Sequence, residues 1–357
     1  MRVAVAGAGA FGRNHLRVYR ELETAGLGVE LVAAVEPDPA RAADVTAKYG
    51  IPAFSSIDRL LSADLRLNAA SVAVPTVHHH AVASALLDAG LDQLVEKPLA
   101  ASLQEADDLI ERAGKGKRIV QPGHLERFNP AVLAVEPKLR RPMFFESHRL
   151  SVFTPRALDV DVVLDLMIHD LDIVLTFAAS PVREVRAVGL PILSPKVDIA
   201  NVRVEFESGC VANFTASRVS TERVRKLRFF EPRQYVSIDY ARRDLLVIGV
   251  DGSVPAQITA AIAAGKIDPA ALAQLAATAS GAGGPGPGLS FSKPEVMPGE
   301  PLRLEIESFL DSVRTRREPR VTARQGRNAL ALALEIQASM ETHAERAGLK
   351  DFFKADL

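Results

Sequence analysis

Three ionisable residues share one predicted helix, in the stretch DVVLDLMIHDLDIVL from Asp161 to Leu175. Asp165, His169 and Asp172 follow one another at i, i+4 and i+7, which places them on one face of an α-helix. Histidine titrates near neutral pH and therefore suits proton transfer. A satisfied buried His–Asp pair is the structural alternative, because ionisable groups on an otherwise apolar helix are costly to bury without partners.

A lysine lies at the end of a predicted strand, in the stretch VEKPLA at 95–100. Ligands of open α/β sheets bind beyond the carboxyl ends of the strands. The ammonium group of Lys97 is therefore expected to project into a ligand crevice, with Pro98 making the backbone there rigid. The alternative is a solvated lysine that carries no chemistry.

The elements that position these residues alternate along the first part of the chain. Short apolar runs, typical of buried strands, alternate with helical segments that have start signals such as Asp38-Pro39 and the capping box of Ser102 and Glu105. The strands are predicted at 2–6, 31–35, 70–74, 94–95 and 117–121. This order predicts an α/β fold, a doubly wound parallel sheet with right-handed crossovers, which forms a Rossmann domain over 1–122.

A glycine-rich turn connects the first strand to the first helix. GAGAFG places Gly7, Gly9 and Gly12 in the pattern G-x-G-x-x-G, with Ala10 and Phe11 before the last glycine. The first glycine permits the tight turn, the second lets the backbone approach a pyrophosphate, and the third lets helix and strand pack closely. The pattern alone also fits a structural turn, but its strand–turn–helix context predicts dinucleotide binding at the helix N-terminus.

Glu36 ends the second strand, 24 residues after Gly12. An acidic side chain there accepts hydrogen bonds from ribose hydroxyls and repels a 2′-phosphate, so the sequence favours NAD over NADP. A solvated carboxylate at a strand end is the alternative. Arg41 lies nearby but fits equally well on the surface of the next helix.

The rest of the chain, 123–357, has a different character. Strand-like runs separated by turn signals between Val182 and Val250 predict an α+β domain on a largely antiparallel sheet. Residues 252–298 are rich in Ala, Gly and Pro and are interpreted as a low-complexity insertion or loop. Two helices, at 302–316 and 322–346, are predicted to complete the chain.

The composition excludes several classes of function. Charged residues make up 24% of the chain and the net charge is −1, so no basic field indicates nucleic acid or an anionic membrane as a partner. No apolar run reaches the ~18 residues of a membrane-spanning helix, and the first residues read as a strand rather than a signal peptide. The one cysteine, Cys210, excludes an internal disulfide. We expect a soluble cytoplasmic protein.

Taken together, the motifs indicate a family. GAGAFG and the EKP triplet at 96–98 occur with Pro75-Thr76, with His79 and with DLMIH at 165–169. Over essentially its whole length the sequence resembles the glucose–fructose oxidoreductase / inositol dehydrogenase / rhizopine-catabolism (Gfo/Idh/MocA) family of NAD(P)-dependent sugar oxidoreductases. The resemblance implies an enzyme that acts on a CH–OH group and holds its cofactor with the glycine-rich turn, Glu36, Pro75, Thr76, His79, Glu96 and Lys97.

The resemblance also implies catalytic roles. His169 would exchange the substrate proton, Asp165 would orient or polarise that system, and Lys97 would hold the hydroxyl and stabilise negative charge that develops on its oxygen. No metal is expected, because oxidation of an alcohol by NAD does not need one here. The run His78-His79-His80 cannot face one point with all three rings, and it is interpreted as a helix start.

Four further residues would form the sugar site: His124, Arg127, Asn129 and Asp172. Asn129 fits a helix N-cap before Pro130 equally well, and Arg127 fits a local ion pair with a carboxylate.

A narrower resemblance within the family concerns the substrate. The chain resembles nucleotide-sugar dehydrogenases that oxidise C3 of UDP-N-acetylglucosamine, in the stretches GHLERFNP, the helix of Asp165 and CVANFTASRVSTERVRKLRFF. The resemblance implies that the product is used by an aminotransferase that makes a 2,3-diamino sugar of lipid A. A basic cluster is a candidate for the diphosphate, with solvated strand charges as the alternative: Arg218, Arg223, Arg225 and Lys226. Rival interpretations are a related dehydrogenase of inositol, a free sugar or another nucleotide sugar, and a non-catalytic NAD-sensing regulator. The family also implies that the domain at 123–357 binds the substrate and mediates oligomerisation, as a homodimer or homotetramer.

Overall fold

Two compact units make up the part of the chain that the computed structural model describes, residues 1–154, 160–250 and 289–353. The first unit comprises Met1–Asn129, Val163–Thr176 and Gly299–Ala338, and the second comprises Pro130–Val162, Phe177–Pro298 and Ser339–Leu357. The helix of Asp165 thus groups with the first unit, and a single division of the chain at residue 122 stays a prediction. Residues 251–288, within which most of the predicted insertion falls, lie outside the described residues.

A six-stranded sheet forms the centre of the first unit. Its strands are β1 (Arg2–Ala6), β2 (Glu30–Val35), β3 (Ala53–Phe54), β4 (Ala69–Val72), β5 (Asp92–Glu96) and β6 (Val120–Gly123). Their order is β3-β2-β1-β4-β5-β6, and each neighbouring pair is parallel. The doubly wound parallel sheet is therefore confirmed, with its topological switch point between β1 and β4, where open α/β sheets bind ligands.

The α-helices begin and end at residues that suit those positions. They are α1 (Gly12–Thr24), α2 (Pro39–Tyr49), α3 (Ile57–Ser62), α4 (His79–Asp88), α5 (Leu103–Gly116), α6 (Pro130–Val135), α7 (Ile168–Ala178), α8 (Pro301–Thr315) and α9 (Ala323–Arg346). Asp38 caps α2 through its side chain, and Gly50 ends it with φ 65°. The side chain of Ser102 caps α5 by accepting from the Glu105 N–H. The carboxylate of Glu105 accepts from the N–H of Ala101, whereas a regular capping box would use the N–H of Ser102.

Strand β6 begins later than predicted. Lys117 is the C-cap of α5 and has the left-handed φ of 51°, so the chain is still turning where the sequence predicted a strand. The strand then starts at Val120.

Apolar side chains cover both faces of the parallel sheet. On one face, Tyr19 and Leu22 of α1 pack in one cluster with Phe309 of α8. The other face is covered by a second cluster, which contains Leu86 of α4 and Leu109 of α5. Burial on both faces explains why the strands read as continuous apolar runs rather than as alternating patterns.

An eight-stranded sheet forms the second unit and is largely antiparallel, as predicted. Its strands are β7 (Phe144–Leu150), β8 (Val182–Leu190), β9 (Ile199–Phe206), β10 (Val211–Ser217), β11 (Val224–Glu231), β12 (Gln234–Asp239), β13 (Asp244–Val250) and β14 (Leu289–Ser292). Their order is β14-β13-β12-β11-β7-β10-β9-β8, and β7 pairs with β10 in parallel. Across the described ranges of both units, no helix combines the length and the apolarity needed to cross a membrane.

Candidate active site

The glycine-rich turn after β1 has two positions where only glycine fits. Gly7 has φ 92°, and a Cβ there would lie 2.6 Å from the carbonyl oxygen of Ala73. A Cβ on Gly12 would lie 1.9 Å from the carbonyl oxygen of Gly7, so the turn and the start of α1 are in direct contact. A Cβ on Gly9 would meet no described atom within 4 Å. Packing therefore requires Gly7 and Gly12, whereas the backbone at Gly9 is open to a ligand.

The start of α1 suits an anion. Ala10 and Phe11 are exposed there, and the Phe11 side chain at the N-cap has no atom that can accept from the N–H groups of the first turn. The Arg13 and Asn14 N–H groups already donate to the carbonyl oxygens of Gly9 and Phe11. The backbone before Arg13 and the positive end of the helix dipole can therefore serve a phosphate. Together with the open backbone at Gly9, this helix start fits the pyrophosphate of a dinucleotide.

Glu36 is buried at the end of β2, with 3% of its surface exposed. One carboxylate oxygen accepts from the Ala8 N–H at 3.0 Å, and the other accepts from the Asp38 N–H and the Arg41 guanidinium, each at 3.0 Å. Glu36 is thus not a solvated strand-end carboxylate, because it ties the glycine-rich turn to β2. Its contact with a ribose stays a prediction.

His79 joins the two loops that follow β4 and β5. Its Nε2 lies 3.0 Å from the carbonyl oxygen of Val74, and its Nδ1 lies 2.8 Å from that of Pro98, after a cis Lys97–Pro98 peptide. The ring is 1% exposed, and burial lowers the pKa of His79. Pro75 and Thr76 begin the short 3-10 turn before this helix, so His79 fixes the loop in which they lie.

The neighbouring histidines are arranged as the helix-start interpretation requires. His78 is exposed, and His80 Nε2 lies 2.7 Å from a carboxylate oxygen of Asp108. Among the described residues, no group of three His, Cys, Asp or Glu side chains can hold a metal ion.

A buried polar chain that the sequence did not reveal leads to Glu96. His15 Nε2 lies 2.9 Å from Oε1 of Glu96, and Nδ1 of the same ring lies 3.1 Å from Ser71 Oγ, which contacts the Tyr19 hydroxyl at 2.8 Å. A Cβ on Gly123 would lie 3.0 Å from the Glu96 carboxyl, so this glycine leaves the space that the carboxyl fills. The one sequence signal was the position of His15, three residues after Gly12 in α1.

Lys97 lies at the end of β5 against the beginning of the predicted catalytic helix. Its Nζ donates to the carbonyl oxygen of Asp165 at 2.7 Å and lies 3.9 Å from Oδ1 of that residue. The two side chains are 19% and 31% exposed, respectively. The structure therefore brings together Lys97 and Asp165, which are 68 positions apart in the sequence, and leaves both accessible.

The prediction of one uninterrupted α-helix is wrong at its start. Residues Val163–Met167 form a π-helical turn before α7 begins at Ile168, and such turns are frequent at functional sites. The wider turn changes the register that the i, i+4, i+7 spacing assumed. Asp165 and His169 are half-buried, whereas Asp172 is 2% exposed.

The four predicted sugar-site residues are all buried, with exposures of 1% to 3%: His124, Arg127, Asn129 and Asp172. Arg127 Nη1 donates to Thr176 Oγ1 at 2.5 Å and lies 3.6 Å from Oδ1 of Asp172, so the local ion pair is present. Asn129 Nδ2 donates to a carboxylate oxygen of Glu126 at 3.0 Å. These contacts favour a supporting role for the group, and direct contact with a sugar stays a prediction.

The basic cluster of the second unit is divided by burial. Arg218 is 4% exposed, its Nε lies 3.3 Å from Oδ1 of the buried Asp198, and it donates to the carbonyl oxygen of Val197 at 3.2 Å. Arg218 therefore holds its own loop together, and these contacts favour a structural role for it over binding of a diphosphate. Arg223 and Arg225 are exposed.

The arrangement at the end of the parallel sheet can support oxidation of an alcohol. A half-buried ammonium group, that of Lys97, can stabilise negative charge on an oxygen, and His169 provides an imidazole for proton transfer. The open backbone and helix start beside it fit a dinucleotide.

Two family models match the chain. The oxidoreductase family with an NAD-binding Rossmann fold, Gfo/Idh/MocA, matches residues 1–124. The GFO/IDH/MocA C-terminal domain matches residues 132–252. The parallel sheet is therefore the core of an NAD-binding Rossmann domain, and the cofactor prediction is confirmed.

Individual relatives match over nearly the whole length. A UDP-N-acetylglucosamine 3-dehydrogenase of Acidithiobacillus ferrooxidans is 32% identical over 97% of this chain and 99% of its own. A solved structure of that enzyme has a TM-score of 0.81, with 96% of this chain and 98% of that one covered.

More distant relatives share the architecture. A scyllo-inositol 2-dehydrogenase (NAD⁺) of Bacillus subtilis is 27% identical over 62% of this chain and 68% of its own. A dehydrogenase from Bordetella pertussis, solved with NADH and UDP-GlcNAcA, has the same fold with a TM-score of 0.72 at 16% identity, over 95% of this chain and 96% of that one. The family resemblance read from the motifs is confirmed, and the chain belongs to the Gfo/Idh/MocA family of NAD-binding oxidoreductases.

Proposed function

We propose that this protein oxidises the C3 hydroxyl of UDP-N-acetylglucosamine to the 3-keto sugar with NAD⁺. The observation that carries the proposal is the similarity to a UDP-N-acetylglucosamine 3-dehydrogenase, at 32% identity and over both domains. The contact between Lys97 and Asp165 supports the proposal. It holds the ammonium group of Lys97 at the edge of the sheet where ligands bind, and that group can interact with an alcohol oxygen.

The residues of the chain divide the work of the reaction. Gly7, Gly9 and Gly12, with Ala10 and Phe11, hold the pyrophosphate of the cofactor, and Glu36 accepts from its adenosine ribose. Pro75, Thr76, His79 and Glu96 form the rest of the cofactor site. When bound, NAD⁺ supplies the two-electron acceptor that the oxidation needs.

Proton transfer is assigned to the helix that begins beside Lys97. Lys97 holds the substrate hydroxyl and stabilises negative charge on its oxygen as the C–H bond breaks. His169 takes the hydroxyl proton, and Asp165 keeps the ammonium of Lys97 in place through its carbonyl oxygen at 2.7 Å. His124, Arg127, Asn129 and Asp172 support this site from the interior.

The test measures NADH formation by the purified protein with NAD⁺ and UDP-N-acetylglucosamine. A glutamate-dependent aminotransferase that accepts the ketone is added, so that an unfavourable equilibrium does not hide the reaction. NADH formation that requires the sugar nucleotide supports the proposal. Turnover on inositol or a free sugar instead would agree with the family but contradict the proposed substrate, and would favour a substrate like that of the inositol dehydrogenase relative. NAD binding without turnover on any sugar would favour a regulator.

Three further features belong to the same proposal. The 3-keto product is consumed by an aminotransferase, as in synthesis of the 2,3-diamino sugar of lipid A. The protein acts as a homodimer or homotetramer, and it works in the cytoplasm, where NAD and nucleotide sugars are available.

A further inference from the structure

Glu305, near the start of α8, is a buried carboxyl group that the proposed mechanism does not use. Its exposure is 0%, and neither carboxyl oxygen has a hydrogen-bond partner among the described residues. Its backbone carbonyl accepts from Gln121 Nε2 at 3.3 Å, which fixes this turn of α8 against β6. Because a buried carboxylate without hydrogen bonds is costly, the neutral acid is the favoured form.

Two other carboxyl groups act on Glu305 electrostatically: Glu96 at the end of β5 and Asp172 on α7. Burial first, and then these two groups, raise the pKa of Glu305 well above its ordinary value. Each neighbour has a cationic or hydrogen-bonding partner, since Glu96 contacts His15 at 2.9 Å and Asp172 lies 3.6 Å from Arg127. Glu305, which is buried without such a partner in the described part of the chain, therefore holds its proton.

Three of the elements that pack against α8 have charged or titratable groups in them or next to them. These groups include His15, Arg17 and Tyr19 of α1, Asp92 and Glu96 of β5, and His124, Glu126 and Arg127 around the 3-10 turn after β6. Asp92 is neutralised at the far end of β5 by Arg316 at 2.6 Å. Burial lowers the pKa of His124 and raises that of Tyr19, so both stay neutral near pH 7. On α8 itself, Arg303 pairs with Glu307 at the surface.

We propose that Glu305 is a positioning residue, a neutral acid that fills its buried place in α8, against β5 and β6, without adding a negative charge near Glu96 and Asp172. Glu96 precedes Lys97 directly, and Asp172 follows His169 by three positions in the same helix. A third buried negative charge near them would be uncompensated and would disfavour the present placement of the strand end and the helix. The link to catalysis rests on the proposed function, whereas the neutral state of Glu305 does not.

The first arm of the test compares the melting temperature of the parent protein with that of Glu305→Gln from about pH 5 to about pH 9. Glutamine has the size of the neutral acid and does not titrate. Because the folded-state pKa is raised, the unfolded chain releases the proton first as pH rises, and the parent loses stability up to the folded-state pKa. We expect Glu305→Gln to gain stability relative to the parent, by an amount that grows with pH over this range.

The second arm measures turnover and NADH affinity. Glu305→Gln should retain kcat within about threefold and bind NADH as the parent does, whereas Glu305→Ala, which removes the side chain from its buried place, should lose kcat by about tenfold or more with a smaller change in KM. Glu307→Gln on the exposed side of α8 is the control and should change neither quantity.

A loss of stability in Glu305→Gln that grows with pH would overturn the proposal, because it would show an ionised, stabilising carboxylate. Equal melting temperatures of the two proteins at every pH would overturn it as well. Full turnover in Glu305→Ala would remove the positioning role. If no variant and no parent turns over UDP-N-acetylglucosamine, the proposed function fails, and the melting arm still decides the state of Glu305.

Discussion

His15 Nε2 lies 2.9 Å from Oε1 of Glu96, and this contact joins the helix that begins at the glycine-rich turn to the strand that ends before Lys97. Both partners are buried, with side-chain exposures of 0% and 11%. A carboxylate only accepts hydrogen bonds, so Nε2 carries the proton in this contact. The cofactor turn and the lysine are thus fixed to each other through one interior hydrogen bond.

Replacement of His15 by alanine should damage stability and turnover together. Glu96 would lose its buried partner, and breaking a buried pair typically costs about 3–5 kcal/mol in the free energy of unfolding. Thermal unfolding and NADH formation measure the two effects. Arg2→Ala, which breaks an exposed pair with Glu30, is the control and should cost less than about 1 kcal/mol. Equal losses in both variants would contradict a special role for the interior contact.

Alanine substitutions at Gly9 and Gly12 should separate binding from folding. At Gly9 the added Cβ meets no described atom within 4 Å, so the protein should melt as the parent does while its Kd for NADH rises about tenfold or more. At Gly12 the Cβ would lie 1.9 Å from a backbone oxygen, so the fold itself should lose about 1–3 kcal/mol or more. Thermal melting and NADH fluorescence titration distinguish the two. A normal NADH affinity in Gly9→Ala would argue against pyrophosphate at this position.

Lys97→Ala should abolish turnover and leave dinucleotide binding nearly intact. The substitution removes the cation proposed to stabilise negative charge on the substrate oxygen. Loss of one such group typically lowers kcat by about 100-fold or more. Steady-state kinetics and NADH titration measure both quantities. Lys115→Ala on the surface of α5, where the side chain is 75% exposed, provides the matched control. If Lys97→Ala lost affinity and turnover equally, Lys97 would be a cofactor residue only.

The sequence predicted best where local chemistry decides the structure. Asp38 and Ser102 cap the helices that they were expected to cap, and Gly7 and Gly12 occupy spaces that admit no Cβ. The doubly wound parallel sheet followed from the alternation of apolar runs and helices, because crossover rules leave few arrangements for such a chain. The order of its strands and the short β3 were not predicted. The spacing of GAGAFG and its strand–turn–helix context were together enough to locate the glycine-rich turn between β1 and α1.

What the sequence did not predict depends on contacts between distant residues. His15 and Glu96 are 81 positions apart, and nothing local to either residue indicates the other. Residues Val163–Met167 form a π-helical turn, which has more residues per turn than an α-helix. A prediction that assumes one constant helical period therefore misses it. Arg218 looked like a surface cation because its strand is rich in charges, but its carboxylate partner, Asp198, lies on another element.

Glu36→Ala should shift cofactor preference from NAD toward NADP. The substitution removes an acceptor from the ribose site and from the Ala8 N–H, and it leaves Arg41 without the carboxylate that now binds it at 3.0 Å. We expect the ratio of kcat/KM for NADP to that for NAD to rise about tenfold, which corresponds to about 1.4 kcal/mol. The measurement is initial rates with both cofactors, with Glu30→Ala at the exposed start of β2 as control. The double variant Glu36→Ala, Arg41→Ala should reverse part of the gain if the released guanidinium attracts the 2′-phosphate, and an unchanged ratio in Glu36→Ala would contradict the ribose role.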